Sequence, residues 1–135
     1  MENGPICSLY HCDRTLTVWA GTDIPGKNIV LVSTKTLKVL PEERNGHTKK
    51  VNCIIDTGNL IWSCSGDRNI IIWNTEGVPV RYLPGHTGPI FSLVSQSGRV
   101  WSASWDKTVI IWDSEVCISN SFFFISVLFL SISLF

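Results

Sequence analysis

Charge is scarce in this 135-residue chain: only 16% of residues carry it, and 11 basic side chains balance 11 acidic ones to no net charge. The basic residues Arg44, Lys49, Lys50 and Arg81 are scattered and form no sustained face. That excludes nucleic acid or an acidic membrane surface as the primary ligand. The five cysteines (7, 12, 53, 64 and 117) contain no Cys-x-x-Cys spacing, so neither a redox pair nor a zinc motif is written here. They read as small buried residues in a reducing compartment, the cytoplasm, with no metal and no cofactor. Met1-Glu2-Asn3-Gly4-Pro5 has no basic stretch followed by an apolar one, which argues against a secretory signal. No Asn-x-Ser/Thr acceptor occurs either.

What the chain does have is repetition. Gly46-His47-Thr48, Trp62-Ser63-Cys64-Ser65-Gly66-Asp67 and Ile71-Ile72-Trp73-Asn74 return, at a constant offset of 39, as Gly85-His86-Thr87, Trp101-Ser102-Ala103-Ser104-Trp105-Asp106 and Ile110-Ile111-Trp112-Asp113. Ten of the 29 aligned positions are identical, and chance does not keep so many landmarks in one register. An earlier, partial copy is read from Asp13 to Trp19, which lines up with Asp67 to Trp73 at an offset of 54, or 39 plus an insertion of 15 between Trp19 and His47.

Within one period the residue types predict four short strands, Val51 to Ile55, Leu60 to Ser65, Asn69 to Trp73 and Pro79 to Leu83. Each is rich in β-branched and aromatic residues and is bounded by turn signals. The third is apolar at every position from Ile70 onward, as is Val109-Ile110-Ile111-Trp112, which marks a strand covered on both faces.

Gly-His, then about two dozen residues, then Ser-x-Asp, then an apolar run closed by Trp-Asp or Trp-Asn resembles the WD40 repeat, whose period is about 40 to 45 residues. The resemblance covers roughly residues 6 to 113 and implies an all-β fold, a segment of a β-propeller in which each repeat is a four-stranded blade. It also implies a structural tetrad in each full copy: His47, Ser65, Asp67, Trp73 and His86, Ser104, Asp106, Trp112. A buried carboxylate and imidazole are tolerated only when they satisfy each other. The same types could form a Ser-His-Asp catalytic triad, but a constellation that returns at the repeat period is scaffold rather than a single active site. In the first copy the serine position falls on His11, so its tetrad is expected to be altered or absent, and its own Gly-His would lie upstream of Met1.

The organisation expected is a partial first blade with an inserted loop (1–45), a complete repeat (46–84), a truncated repeat (85–115) and an apolar tail (116–135). That makes one complete blade between two partial ones, incomplete on its own, since a propeller has typically four to eight blades. The tail contains no charged residue. Three explanations stand: a tail anchor, since about 20 apolar residues can span a bilayer; a fourth strand; and read-through of an intron. The last is favoured, because Val116-Cys117-Ile118 can be encoded by a sequence that opens like a splice donor and Phe, Leu, Ile and Ser belong to U-rich triplets. Gly21 to Asn28 resembles a phosphate-binding loop, yet Ile29-Val30-Leu31-Val32 reads as strand where that loop needs a helix. A turn between the third and fourth strands of the first blade is expected there instead.

Function is therefore expected at the surface, as a non-catalytic scaffold or adaptor that binds other proteins and takes no small-molecule substrate. A propeller appended to a signalling enzyme, or a membrane-tethered adaptor through the tail, are the alternatives. Trp105 precedes Asp106 at a turn tip where the other copies carry Gly66 and Cys12, and a large aromatic there is a candidate anchor, packing against a neighbouring loop being the other reading. Arg14, Arg68 and Lys107 each follow a motif Asp and could form a basic arc beside it.

Overall fold

The computed structural model describes residues 4–41, 46–114 and the backbone of 124–129. Among the described residues, eleven strands form three antiparallel sheets. β1 (Ile6–Cys12), β2 (Thr17–Thr22) and β3 (Ile29–Ser33) make the first. β4 (Val51–Asp56), β5 (Ile61–Ser65), β6 (Ile70–Trp73) and β7 (Pro79–Leu83) make the second. β8 (Ile90–Gln96), β9 (Arg99–Ser104), β10 (Thr108–Asp113) and β11 (Phe124–Phe129) make the third. Each sheet is a meander of sequential antiparallel neighbours, the pairing that short connections permit. Ser97-Gly98, with φ of 50° and 72°, supplies the paired left-handed residues of a two-residue hairpin between β8 and β9.

Sheet two lies between the other two and is covered on both faces. Alternation sends Ile61, Ile71 and Trp73 toward the first sheet, where they pack with Trp19, Ile29 and Leu31, and sends Trp62, Cys64, Ile70 and Ile72 toward the third, against Leu93, Val100, Ile110 and Trp112. All four residues of β6 are fully buried, as the unbroken apolar run predicts. The Trp19 and Trp73 rings meet edge to face at 6.3 Å, which adds about 0.5–1.5 kcal/mol beyond area burial.

Strand pairing corrects the alignment of the first copy. The same bulge interrupts β1, β4 and β8, between Ile6 and Ser8, Val51 and Cys53, and Ile90 and Ser92. Beyond it Tyr10 opposes Trp19, Ile55 opposes Trp62 and Val94 opposes Trp101. Trp19 is thus the counterpart of Trp62 and Trp101, not of Trp73, and β1 is a first strand rather than a second. The insertion between Trp19 and His47 shrinks from 15 residues to 4, since 28 positions separate those two and 24 separate Trp62 from His86. Val32, opposite Val18, takes the place of Trp73, opposite Ile61. Gly21 to Asn28 runs from β2 into β3, joining the second and third strands of its sheet, and a strand follows it. The first sheet has three strands, with a single bridge between Val32 and Val39 beyond them.

In the third sheet the backbone of Phe124–Phe129 pairs with β10 and supplies a fourth strand. The remainder of the tail lies outside the described residues. Among the described residues no helix is long and apolar enough to cross a membrane.

Candidate functional site

Four side chains per repeat tie the Gly-His loop to its sheet. His47 Nδ1 lies 2.9 Å from Asp67 Oδ2, and its Nε2 lies 2.7 Å from Ser63 Oγ, which also accepts from Trp73 Nε1 at 2.8 Å. In the next repeat the corresponding distances are 2.8 Å from His86 to Asp106, 2.7 Å from His86 to Ser102, and 2.9 Å from Trp112 to Ser102. One proton arrangement satisfies all of it: indole N–H to serine oxygen, serine O–H to imidazole, imidazole N–H to carboxylate.

The serine is therefore Ser63 and Ser102, not Ser65 and Ser104. All four lie on the face that receives the Gly-His loop, because residues two apart on a strand share a face. Ser63 opposes Ile71, two residues before Trp73, and so sits diagonally beneath the indole. Ser65 lies one step nearer the turn, where its hydroxyl donates to Lys49 O at 3.0 Å and accepts from Asp67 N at 3.1 Å. Ser104 does the same, donating to Gly88 O at 3.0 Å, with Pro89 O also within 2.9 Å, and accepting from Asp106 N at 3.1 Å. The corresponding positions of the first sheet are Ala20, Thr22 and Val32, so that sheet has no such network. His11 instead lies near the exposed Asp13, 3.4 Å away.

Burial pushes the Asp67 carboxyl up, but the hydrogen bond from His47 and those from the Thr48 and Asn69 amides outweigh it and hold it below its ordinary value. For Asp106 the burial effect is likewise overcome, by the Thr108 hydroxyl, His86 and the Thr87 and Thr108 amides. Though the types match a catalytic triad, Ser63 and Ser102 are fully buried beneath the tryptophans, where no substrate reaches them. The network is structural. A Cβ on Gly46 would lie 2.7 Å from the Trp73 ring, so the Gly-His loop needs glycine to rest on that indole.

The bonded loops define one end of the molecule. Ser8 Oγ donates to Val51 O, and Asn52 Nδ2 donates to Ile90 O, so β1, β4 and β8 start at the same end, where the β5–β6 and β9–β10 turns also lie. Arg68 (φ 74°) and Lys107 (φ 68°) occupy the left-handed positions of those turns. Trp105 is 75% exposed, and its ring meets the half-exposed Phe91 edge to face at 6.1 Å.

Arg14 does not join them. It sits in the β1–β2 turn at the opposite end, 2.8 Å from Asp56 Oδ2, which also accepts from Tyr10 OH at 2.7 Å. Burial, then the Asp56 bond, raise the Tyr10 hydroxyl well above its ordinary value. Sequence reasoning missed this clamp between the first two sheets, because none of its three residues repeats: the counterparts of Tyr10 are Ile55 and Val94. Beside the outer strands an open cleft of about 460 Å³ is lined by Thr15, Thr17, Leu31, Leu40, Thr75 and Val78 among others. Among the described residues no three His, Cys, Asp or Glu side chains converge as metal ligands would.

The sequence pattern of the WD domain, G-beta repeat, matches residues 34–74 and 77–113, more than half of the chain. No curated protein matches significantly. Among solved structures, one described as the structure of U3-55K and another as RRP9 WD40 repeats each superpose with a TM-score of 0.76 at 21% identity, over 96% of this chain and 40% of theirs. A computationally designed protein, Ika4, matches with a TM-score of 0.71 at 23% identity, over 84% of this chain and 68% of its own. The chain thus spans well under half the length of the first two, and at these identities the likeness is one of fold.

Proposed function

This chain belongs to the WD40 repeat family, and from that premise we propose that it is a non-catalytic scaffold that binds another protein through the end carrying Trp105, Arg68 and Lys107. WD40 repeats are in general protein-interaction scaffolds. The observation that carries the finer reading is the exposed Trp105 ring, held against Phe91 on a turn whose backbone N–H is tied to Pro89 O at 2.9 Å. A rigid aromatic presented on a tied turn loses little entropy on binding and suits a hot spot. Lys107 follows two positions on, and Arg68 occupies the same turn position one repeat earlier. A partner with an apolar pocket rimmed by acidic groups fits such a surface. The described cysteines are free thiols, which suits the cytoplasm.

The test compares wild-type chain with Trp105→Ala for capture of a partner from cytoplasmic extract, with both proteins also melted. Loss of the edge-to-face contact removes about 0.5–1.5 kcal/mol at most, so melting is expected to change little while affinity falls roughly thirtyfold or more. If Trp105→Ala melts as early as Asp67→Ala, and binding is lost only in proportion to unfolded protein, Trp105 is a packing residue and the proposed surface fails.

A further inference from the structure

The two outer sheets each leave open much of a face that the middle sheet buries, although Ile111 on the third sheet stays buried at 7% exposed. Toward the third sheet, sheet two presents Ile55, Trp62, Cys64, Ile70 and Ile72; the same positions of the third sheet, one repeat further along, are Val94, Trp101, Ala103, Val109 and Ile111. Toward the first sheet, sheet two presents Val51, Ile54, Ile61, Ile71 and Trp73; strand pairing gives Ile6, Leu9, Val18, Val30 and Val32 as their counterparts in the first sheet. Exposure changes accordingly. Ile54 is 6% exposed and Leu9 66%; Val51 is fully buried and Ile6 is 64% exposed; Val94 is 57% exposed.

These two bare faces are the two halves of the junction that occurs twice within the chain. We propose that the third sheet of one copy seats on the first sheet of a second copy, and the reverse, so that two copies close a six-bladed ring. The occupant follows from continuity with the existing junctions: each face lacks the partner that its counterpart in sheet two has. Polar register agrees as well. Ser8 donates across the first junction to Val51 O, and exposed Ser92, its counterpart in β8, is placed to donate to Ile6 O, the counterpart of Val51 O. Val32, smaller than Trp73 at the same position, leaves room beside Trp101. Three sheets per copy make six blades from two copies, within the usual four to eight, whereas three copies would make nine. A head-to-tail contact gives a closed assembly when the rotation closes and an open filament when it does not. The inference does not depend on the Trp105 surface.

The test is the mass of the full chain in solution at micromolar concentration, by light scattering and sedimentation velocity, with Leu9→Asp and Val94→Asp alone and mixed. The wild type is expected at twice 15.1 kDa. Either Asp, on an exposed position of the monomer, breaks both junctions, so each variant alone is expected as a monomer, its dissociation constant raised roughly thirtyfold or more. Mixed, the two retain one fully native junction and are expected to form a heterodimer, an outcome that neither nonspecific aggregation nor a face-to-face dimer can produce. Should circular dichroism show that an Asp variant has not folded, Ser92→Arg, on exposed strand surface, replaces Val94→Asp. A monomeric wild type overturns the proposal, whether the faces stay bare or the chain's own apolar tail covers one. So does a dimer lost with Val94→Asp but kept with Leu9→Asp, or an assembly indifferent to both.

Discussion

Replacing Ser63 by alanine removes one oxygen and strands two buried partners. The His47 ring nitrogen at 2.7 Å and the Trp73 indole N–H at 2.8 Å both use that hydroxyl, and its complete burial bars solvent from replacing it. Each group left unpaired costs about 1–3 kcal/mol, so the pair should cost about 2–6 kcal/mol, a large share of a typical domain's roughly 5–15 kcal/mol. Ser65→Ala is the matched control. Ser65 is fully buried too, but its two partners are backbone groups of the exposed Lys49 and the half-buried Asp67, where water can replace the lost bonds, for about 1 kcal/mol. Urea unfolding followed by tryptophan fluorescence, at one fixed protein concentration, should rank Ser63→Ala well below Ser65→Ala. Exchange of the Trp73 indole proton should quicken only in the former. Adding Trp73→Phe to Ser63→Ala removes the stranded donor, so the double variant should lose less than the two single losses added. Equal losses for Ser63→Ala and Ser65→Ala would refute the assignment of the bridging serine.

Acid should unfold the protein through the same network. Because Asp67 and Asp106 are held below their ordinary values in the native state, their contribution is fully present above the unfolded value near 3.9 and is lost as pH falls below it. Stability is expected to be level from about pH 7 to 5 and to drop from about pH 4 to 2, with a shallower drop in Asp106→Asn, as urea midpoints against pH would record. Asp67→Ala leaves His47 and the Thr48 amide without their acceptor and should cost on the order of 1–3 kcal/mol or more, read as a lower melting temperature. Gly46→Ala presses a methyl against the Trp73 ring and should cost about 1–3 kcal/mol through overpacking; an unchanged melt would mean that the loop does not rest on the indole.

Much of the second and third repeats was legible from residue types. A short run of Ile and Trp carries no alternation because both faces are covered, and β6 is buried at every position for that reason. His47 and Asp67, and His86 and Asp106, were legible as pairs because a buried imidazole and carboxylate need each other. The first repeat misled because Trp62 and Trp73 are both tryptophans in apolar strands. A single Trp19 can be laid against either, and only the bulge and the pairing of β1 with β2 decide between them. Arg14 followed that misalignment to the wrong end of the molecule.

Sequence by itself determined the all-β class, the period, the strands of the two full copies and the residue types of the buried network, since those depend on local pattern and on which groups can share an interior. Tertiary structure alone decided the rest. Ser63 and Ser65 lie on one face of one strand, and local pattern cannot say which passes beneath Trp73; that depends on the register with β6, where Ser63 falls opposite Ile71. The clamp of Tyr10, Arg14 and Asp56 joins segments far apart in the chain, and Phe124–Phe129 became a strand only because β10 offered it an edge. A short apolar run has no intrinsic partner: the edge it meets supplies the hydrogen bonds that make it a strand.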